Sequence, residues 1–304
     1  MLCGVPQGST LGPLLFLIYI NDFHQASNFE LNLFADDAYL CMSNYYPQRL
    51  ETEVNSELLK VQEWLNNNKL TINLNKTTYL IITNRKITFN FQIKINSTHI
   101  KENNQSNYLG VIIDKKLNWK PYLNLIKNKL SNGCWALNKL KKYLNQDAMK
   151  TIYYGLIYQR LQYCISCWGG VAPTNLKKLA VLQKRAVRII TGSHWQTSSS
   201  PLFKNLGLLK LNEIYKLQLA KIMYRINNDT WLGNYNMLKI DQIHSYSTRA
   251  ATSSNYYIGS AKTTSRNSLV YVGSKIWMEI PAELKFLNFY LFKNRLKKHF
   301  ISLY

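Results

Sequence analysis

The sequence predicts an α+β protein, with its strands near the N-terminus and helices through the rest. Three patterns carry that expectation. Ile87, Phe89, Phe91, Ile93 and Ile95 alternate with Thr88, Asn90, Gln92 and Lys94, the period of a half-buried strand. Leu50, Val54, Leu58, Val61 and Leu65 recur at helical spacing, and the same spacing returns in successive segments after Pro121. Charge divides along the same line: residues 1–114 hold 8 Lys/Arg against 10 Asp/Glu, and residues 115–304 hold 30 against 6. Three regions are expected: a mixed one over 1–120, a helical one over 121–230, and a C-terminal one over 231–304 that is loop-rich and then helical.

Taken in order, the chain opens on a loop punctuated by Gly4, Pro6, Gly8, Gly12 and Pro13. Pro6 and Gly8 suit a tight turn, and Pro13 suits the first turn of a helix. The apolar stretch Leu14–Ile20 is expected to be that helix, buried. Leu31 and Leu33 on one side, and Tyr39 to Met42 on the other, read as two short strands. Between them lie Asp36 and Asp37, turn residues that strands disfavour, so a tight hairpin is expected with both at its tip. A helix follows from Gln48 to Asn68, started by Pro47, with Glu51, Glu53, Glu57, Lys60 and Glu63 mostly facing solvent. Strands are expected at Leu70–Leu74 and Tyr79–Thr83 around an Asn75–Thr78 turn, then at Ile87–Ile95, and again near Tyr108–Asp114.

After Pro121, one helix presents Leu123, Ile126, Leu130, Leu137 and Leu140 to a core. A second runs from Gln146 to Tyr163. A third turns Leu176, Leu179, Leu182, Ala186 and Ile189 inward and leaves Lys177, Lys178, Lys184, Arg185 and Arg188 for phosphates. Leu211–Ile226 is another amphipathic helix. Residues 231–268 mix Ser, Thr, Asn and Tyr with Arg249, Lys262 and Arg266, which suits either single-stranded nucleic acid or an exposed loop. Residues 269–304 are expected to be a docking helix pair.

Composition narrows the function classes. With 304 residues and 46% hydrophobic content, the chain has the makings of a real core and is not a disordered polyelectrolyte. A formal net charge of +22 calls for a polyanion, with nucleic acid ahead of an anionic membrane surface, and a merely basic, Lys/Asn-rich protein as the plain alternative. Leu14–Ile20 is too short to cross a bilayer, and no basic segment precedes it as in a secretory signal. Five Cys, an odd number, argue for reduced thiols in an intracellular protein, nuclear or cytoplasmic, with no membrane partner. Cys164-Ile165-Ser166-Cys167 has CxxC spacing without a second pair to complete a zinc site, so buried thiols are the plainer reading.

The chemistry centres on Asp36 and Asp37. Two adjacent carboxylates repel one another, and a hard divalent ion such as Mg²⁺ relieves that conflict. A solvated turn remains the plain alternative for the dipeptide alone.

The order of elements adds to this. Pro6-Gln7-Gly8-Ser9, Gly12-Pro13-Leu14-Leu15-Phe16 and Tyr19-Ile20-Asn21-Asp22-Phe23, followed by Phe34-Ala35-Asp36-Asp37, resemble the palm of reverse transcriptases of non-LTR, LINE-type retrotransposons of the jockey and CR1 kind. The resemblance implies a partial polymerase palm, an antiparallel sheet with packed helices, followed by a helical thumb. It implies RNA-directed DNA synthesis on an RNA template and a DNA primer from deoxynucleoside triphosphates, with Mg²⁺ as cofactor. Asp36 and Asp37 would be catalytic and hold the metal. Gln7, Gly8 and Ser9 would shape the template and nucleotide pocket. Asn73-Leu74-Asn75-Lys76-Thr77 resembles a family element that brings a Lys, here Lys76, to the phosphates. Tyr108-Leu109-Gly110, Asp114, Leu117 and Trp119 resemble the hairpin that grips the primer, which gives Leu109 and Gly110 that role, while Asp114 reads as a turn carboxylate.

One departure matters. In the family a further metal-binding carboxylate lies on a strand ahead of the Gln7–Ser9 loop, and here only Met1-Leu2-Cys3 precede Gly4. The expectation is a chain truncated at its N-terminus that does not extend a primer by itself. The alternatives are a non-catalytic nucleic-acid-binding protein derived from such an enzyme, and a decayed sequence with no folded product.

Overall fold

The structure is a computed structural model of the 304-residue chain, and it describes residues 6, 8–86, 89–231, 237, 239–240, 256 and 268–304. The chain divides into two compact units, Met1–Ser106 with Asp114–Leu117, and Asn107–Ile113 with Asn118–Tyr304.

The first unit is built around one long helix. Helix α1 (Gly12–Tyr19) leads through a 3₁₀ turn (Asn21–Gln25) to strands β1 (Glu30–Phe34) and β2 (Asp37–Cys41), and then to α2 (Pro47–Asn67). Strands β1 and β2 pair antiparallel, from Glu30 opposite Cys41 to Phe34 opposite Asp37. Four two-residue strands follow: β3 (Thr78–Tyr79), β4 (Lys94–Ile95), β5 (Thr98–His99) and β6 (Lys101–Glu102). Strand β3 pairs parallel with β6, and β4 pairs antiparallel with β5. The core gathers Ile20, Phe23, Phe29, Leu58, Val61, Phe91, Ile93 and Ile95.

The Ile87–Ile95 strand is replaced by something more economical. Phe91, Ile93 and Ile95 are buried while Asn90, Gln92 and Lys94 are exposed, so the alternation holds in the burial of side chains. Yet only Lys94 and Ile95 belong to a ladder. Side chains of α2 take the place of a neighbouring strand. Gln92 N–H donates to Glu51 Oε2 at 2.7 Å, Asn55 Nδ2 donates to the Gln92 carbonyl at 2.9 Å, and Lys94 N–H donates to Asn55 Oδ1 at 3.0 Å. Backbone polar groups need partners when half-buried, and a polar helix face serves as well as a strand edge. Residues 70–74 and 80–83 likewise form no ladder, and Ile87 and Thr88 lie outside the described residues.

Two further expectations are corrected. Glu57 faces inward, 7% exposed. Its carboxylate accepts from Asn28 N–H at 2.8 Å, Asn28 Nδ2 at 3.2 Å and Lys60 Nζ at 2.7 Å, tying α2 to the turn ahead of β1. Lys60 first, and then the Asn28 N–H, hold its pKa below the ordinary carboxylate range. Because the folded pKa is depressed, the stability it contributes is complete above the unfolded pKa and is lost as pH falls through the folded one. Urea midpoints of this unit are therefore expected to fall on acidification below about pH 4, and Glu57→Gln is expected to flatten that limb. An identical acid limb in the variant would contradict the role. Helix α1 is the second correction: none of its residues is buried, with Leu14, Leu17 and Ile18 54%, 56% and 66% exposed. The Tyr19 hydroxyl donates to the Asn68 carbonyl and holds its end to α2. A helix apolar on every side belongs in a core, and of this one Phe16, half-buried, packs against the core of the unit.

The second unit is helical. Strands β7 (Gln105–Tyr108) and β8 (Val111–Asp114) form a hairpin at which the chain passes between units. Then come α3 (Lys120–Leu140), α4 (Gln146–Tyr153), a π turn (Tyr154–Tyr158) and α5 (Gln159–Gln162), α6 (Ile165–Trp168), α7 (Pro173–Thr191), α8 (Ser199–Leu206) and α9 (Leu211–Asn227). Three C-terminal helices follow: α10 (Leu269–Glu279), α11 (Ala282–Lys285) and α12 (Phe289–Ser302). Leu123, Ile126, Leu130 and Leu137 of α3 are buried as their spacing predicts.

One core runs from Leu130 and Trp168 through Leu179 and Ile214 to Trp277 and Phe292, so the C-terminal helices share it with α3–α9. Gln183, polar and 1% exposed within it, spends both amide hydrogens: Nε2 donates to the Tyr153 hydroxyl and to the Leu209 carbonyl, each at 2.9 Å. Among the described residues no helix is long and apolar enough to cross a membrane.

Candidate active site and nucleic-acid surface

The Asp36–Asp37 pair sits where the hairpin turns. Strand β1 ends at Phe34 and β2 begins at Asp37, which leaves Ala35 and Asp36 as a two-residue turn. Ala35 adopts φ 51°, a left-handed conformation that a non-glycine residue rarely takes. Such strain concentrates at functional sites. Asp36 and Asp37 are both exposed, as is Phe34 at 61%. Among the described residues no Lys or Arg forms an ion pair with either Asp. Two open carboxylates side by side are hard oxygen donors of the kind that suits a hydrated Mg²⁺. Among the described residues no cluster of three or more His, Cys, Asp or Glu stands ready to hold a metal.

The loop ahead of α1 is a built turn. Ser9 N–H donates to the Pro6 carbonyl at 3.1 Å, with Gly8 at φ 85° as its third residue. That is the position at which a type II turn demands positive φ, and glycine meets it without strain. Ser9 Oγ accepts from Gly12 N–H at 3.1 Å and holds the loop to the start of α1. Gln7 lies outside the described residues. Lys76 is exposed on a second turn, closed by Lys76 N–H and Thr77 N–H donating to the Asn73 carbonyl, both at 3.0 Å. Gly8, Ser9, Lys76 and the Asp pair thus all belong to the first unit.

Leu109 and Gly110 belong to the second. They are the two turn residues of the β7–β8 hairpin, at φ 46° and 78°. Positive φ at both central positions marks the type I′ hairpin turn, which favours Asn-Gly and makes a Leu there strained. The Tyr163 hydroxyl, 54 residues away in sequence, donates to the Leu109 carbonyl at 2.6 Å and fixes the turn. Beneath it opens a cavity of about 300 Å³. Tyr122, Lys129, Gln159, Arg160 and Tyr163 share its wall with Leu109 and Gly110. Leu125 and Ile126 complete the wall, so the opening pairs an apolar floor with two cations, Lys129 and Arg160, that could meet phosphates. The sequence offers Lys129 among the basic residues of the helix after Pro121 that could track phosphates, but gives no sign of Arg160 or Tyr163, which α5 and its end bring to the same opening. Asp114 has the turn role expected of it: its Oδ1 accepts from Lys116 N–H at 3.2 Å.

The second unit is strongly basic. Lys127, Lys129, Lys139, Lys141, Lys142, Lys177, Lys178, Lys184 and Arg185 are exposed. Trp135, 65% exposed on α3, carries Lys139 Nζ 5.8 Å from its ring centroid. The polar 231–268 stretch lies almost wholly outside the described residues.

Comparison with known proteins finds relatives for part of the chain. Residues 1–113 match the reverse transcriptase (RNA-dependent DNA polymerase) family. Over 218 residues the chain is 28% identical to a probable RNA-directed DNA polymerase from transposon X-element of Drosophila melanogaster, covering 67% of this chain and 23% of that protein. It is 27% identical over 226 residues to the probable RNA-directed DNA polymerase from transposon BS of the same organism, covering 70% and 25%. It is 24% identical over 236 residues to the RNA-directed DNA polymerase from mobile element jockey of Drosophila melanogaster, covering 74% and 26%. No solved structure matches the chain. The chain spans about a quarter of the length of the curated relatives it matches. The similarity supports a reverse transcriptase fragment, and the relatives are RNA-directed DNA polymerases of LINE-type, non-LTR mobile elements.

Proposed function

We propose that the chain works as the palm hairpin and thumb of an RNA-directed DNA polymerase that copies an RNA template onto a DNA primer. The observation that carries this reading is the pair of open carboxylates at the β1–β2 turn, in a chain whose first 113 residues match the reverse transcriptases. Asp36 and Asp37 would hold Mg²⁺, which supplies charge stabilisation as a primer 3′-hydroxyl displaces pyrophosphate from a deoxynucleoside triphosphate. Gln7, Gly8 and Ser9 shape the template and nucleotide pocket, and the Gly8 turn leaves space for close backbone approach. Lys76 faces the triphosphate, where an ammonium offsets developing negative charge. Leu109 and Gly110 meet the primer, with Lys129 and Arg160 at its phosphates. The palm is residues 1–120, the thumb 121–230, and residues 231–304 extend it.

Primer extension on an RNA template tests the reading, with Mg²⁺ and deoxynucleotides and with a chimera that joins this chain behind the N-terminal polymerase segment of a jockey relative. Extension that requires Asp36 and Asp37 supports it; extension indifferent to both refutes it. Residues 1–304 alone bind primer–template without extending it on this reading, because two-metal transfer needs carboxylates that bridge both ions and the hairpin offers one adjacent pair.

A second reading, a non-catalytic nucleic-acid-binding protein, draws on the 30 Lys/Arg against 6 Asp/Glu in residues 115–304. Both readings expect salt-steep binding, with log K falling by about 0.7–0.9 per phosphate neutralised for each tenfold rise in salt. Lys129→Ala and Arg160→Ala are each expected to lower that slope by about one. A slope unchanged by the pair of substitutions would remove the cavity wall from the nucleic-acid surface.

A further inference from the structure

We infer that Cys164 and Cys167 are a dithiol modification site, which a low-molecular-weight disulfide such as oxidised glutathione closes to an intrachain disulfide. The backbone already has the shape. Cys167 N–H donates to the Cys164 carbonyl at 2.9 Å, an i to i+3 bond that closes a turn. Such a turn holds its end Cα atoms within about 7 Å, and a disulfide spans about 4.4–6.8 Å between Cα atoms. Cys164 takes φ 49°, a left-handed conformation strained for cysteine, where the α5 segment breaks and α6 begins. The segment is pinned at both ends. Tyr163 holds the Leu109 carbonyl, and Trp168, wholly buried, donates Nε1–H to the Tyr163 carbonyl at 2.9 Å.

The two thiols differ in access. Both are free; Cys167 is exposed and Cys164 half-buried. Burial, and then the nearby Cys167, push the Cys164 thiol up. Exchange therefore begins at Cys167. Its thiolate attacks one sulfur of oxidised glutathione, the S–S bond breaks, and one glutathione leaves as thiolate and takes up a proton. The Cys164 thiolate then attacks Cys167 Sγ and expels the second glutathione. The protein loses two S–H bonds and gains one S–S bond, and oxidised glutathione is reduced to two thiols. Cys134 is a built-in control. It is wholly buried, and its thiol donates to the Leu182 carbonyl at 3.4 Å, a position from which exchange does not start.

The test uses the full native chain, equilibrated in glutathione buffers of rising oxidised-to-reduced ratio, alkylated and digested with trypsin. Leu161–Lys177 is a single tryptic peptide that carries Cys164 and Cys167 and no other cysteine. It is expected to become lighter by two hydrogen atoms and resistant to alkylation, reversibly on reduction, while Cys134 stays free. Cys164→Ser is expected to trap a stable glutathione adduct on Cys167, and Cys167→Ser to leave Cys164 reacting several-fold more slowly than Cys167 does. Both thiols alkylated at every ratio would overturn the inference. So would two independent adducts in the unsubstituted chain.

Discussion

On the proposed function, Asp36→Ala and Asp37→Ala, each introduced into a chimera that joins this chain behind the N-terminal polymerase segment of a jockey relative, are expected to lower primer extension by more than about 10²-fold, because misplacing reacting groups by an ångström already costs that much. Affinity for primer–template should stay within about twofold, since phosphate contacts by Lys and Arg dominate it and neither Asp pairs with a cation among the described residues. The two readouts separate chemistry from binding. Asp37→Asn sharpens the comparison: it keeps the shape of the first β2 residue, opposite Phe34, and removes only the charge. Single-turnover extension and equilibrium binding measured on the same preparations would show the split. Equal losses in both would mean that the hairpin folds around its carboxylates and does not use them for transfer.

Trp277→Ala carries the second large effect. Its indole is wholly buried on α10, 6.0 Å from the Phe292 ring of α12 between centroids, in the core that also holds Trp168 and Leu130. Truncating a buried Trp costs about 3–5 kcal/mol through lost contacts and the cavity left behind. Because α10–α12 share that core with α3–α9, the loss should appear in the unfolding of the whole second unit as one cooperative transition. The Tyr224 hydroxyl, donating to the Leu287 carbonyl at 2.7 Å, and Lys210 N–H, donating to the Tyr304 hydroxyl at 2.8 Å, cross-link the same helices. Urea unfolding followed by Trp fluorescence and by helical circular dichroism measures it. A transition confined to residues 269–304, with α3–α9 unchanged, would show that the C-terminal helices are an independent appendage.

Helical elements were the most legible in the sequence. Leu50 to Leu65 placed α2, and Leu123 to Leu137 placed α3, because helix register depends on near neighbours and repeats every 3.6 residues. The hairpin at Asp36 was also legible, since two apolar runs flank residues that strands disfavour. What periodicity left open was where backbone groups find partners. Phe91, Ile93 and Ile95 alternate like a strand and are buried like one, yet Glu51 and Asn55 of α2 satisfy the neighbouring backbone. Glu57 reads as a surface carboxylate by composition and is buried because Asn28, far off in sequence, presents two donors to it.

Helix α1 shows the opposite case: Leu14, Leu17 and Ile18 read as core, and each is more than half exposed. Motif order identified the candidate metal ligands, since Asp36 and Asp37 are adjacent. The cavity under Leu109 was not legible, because Lys129, Arg160 and Tyr163 come from different helices and one helix boundary.

The most direct measurement is localised backbone cleavage by Fe²⁺ substituted for Mg²⁺, in the chimera of this chain with a relative's N-terminal polymerase segment, with primer–template and an incoming nucleotide bound. The account predicts cuts at Phe34–Asp37 that excess Mg²⁺ suppresses and that Asp36→Ala or Asp37→Ala abolishes. Cuts confined to other segments, unchanged by either substitution, would contradict it.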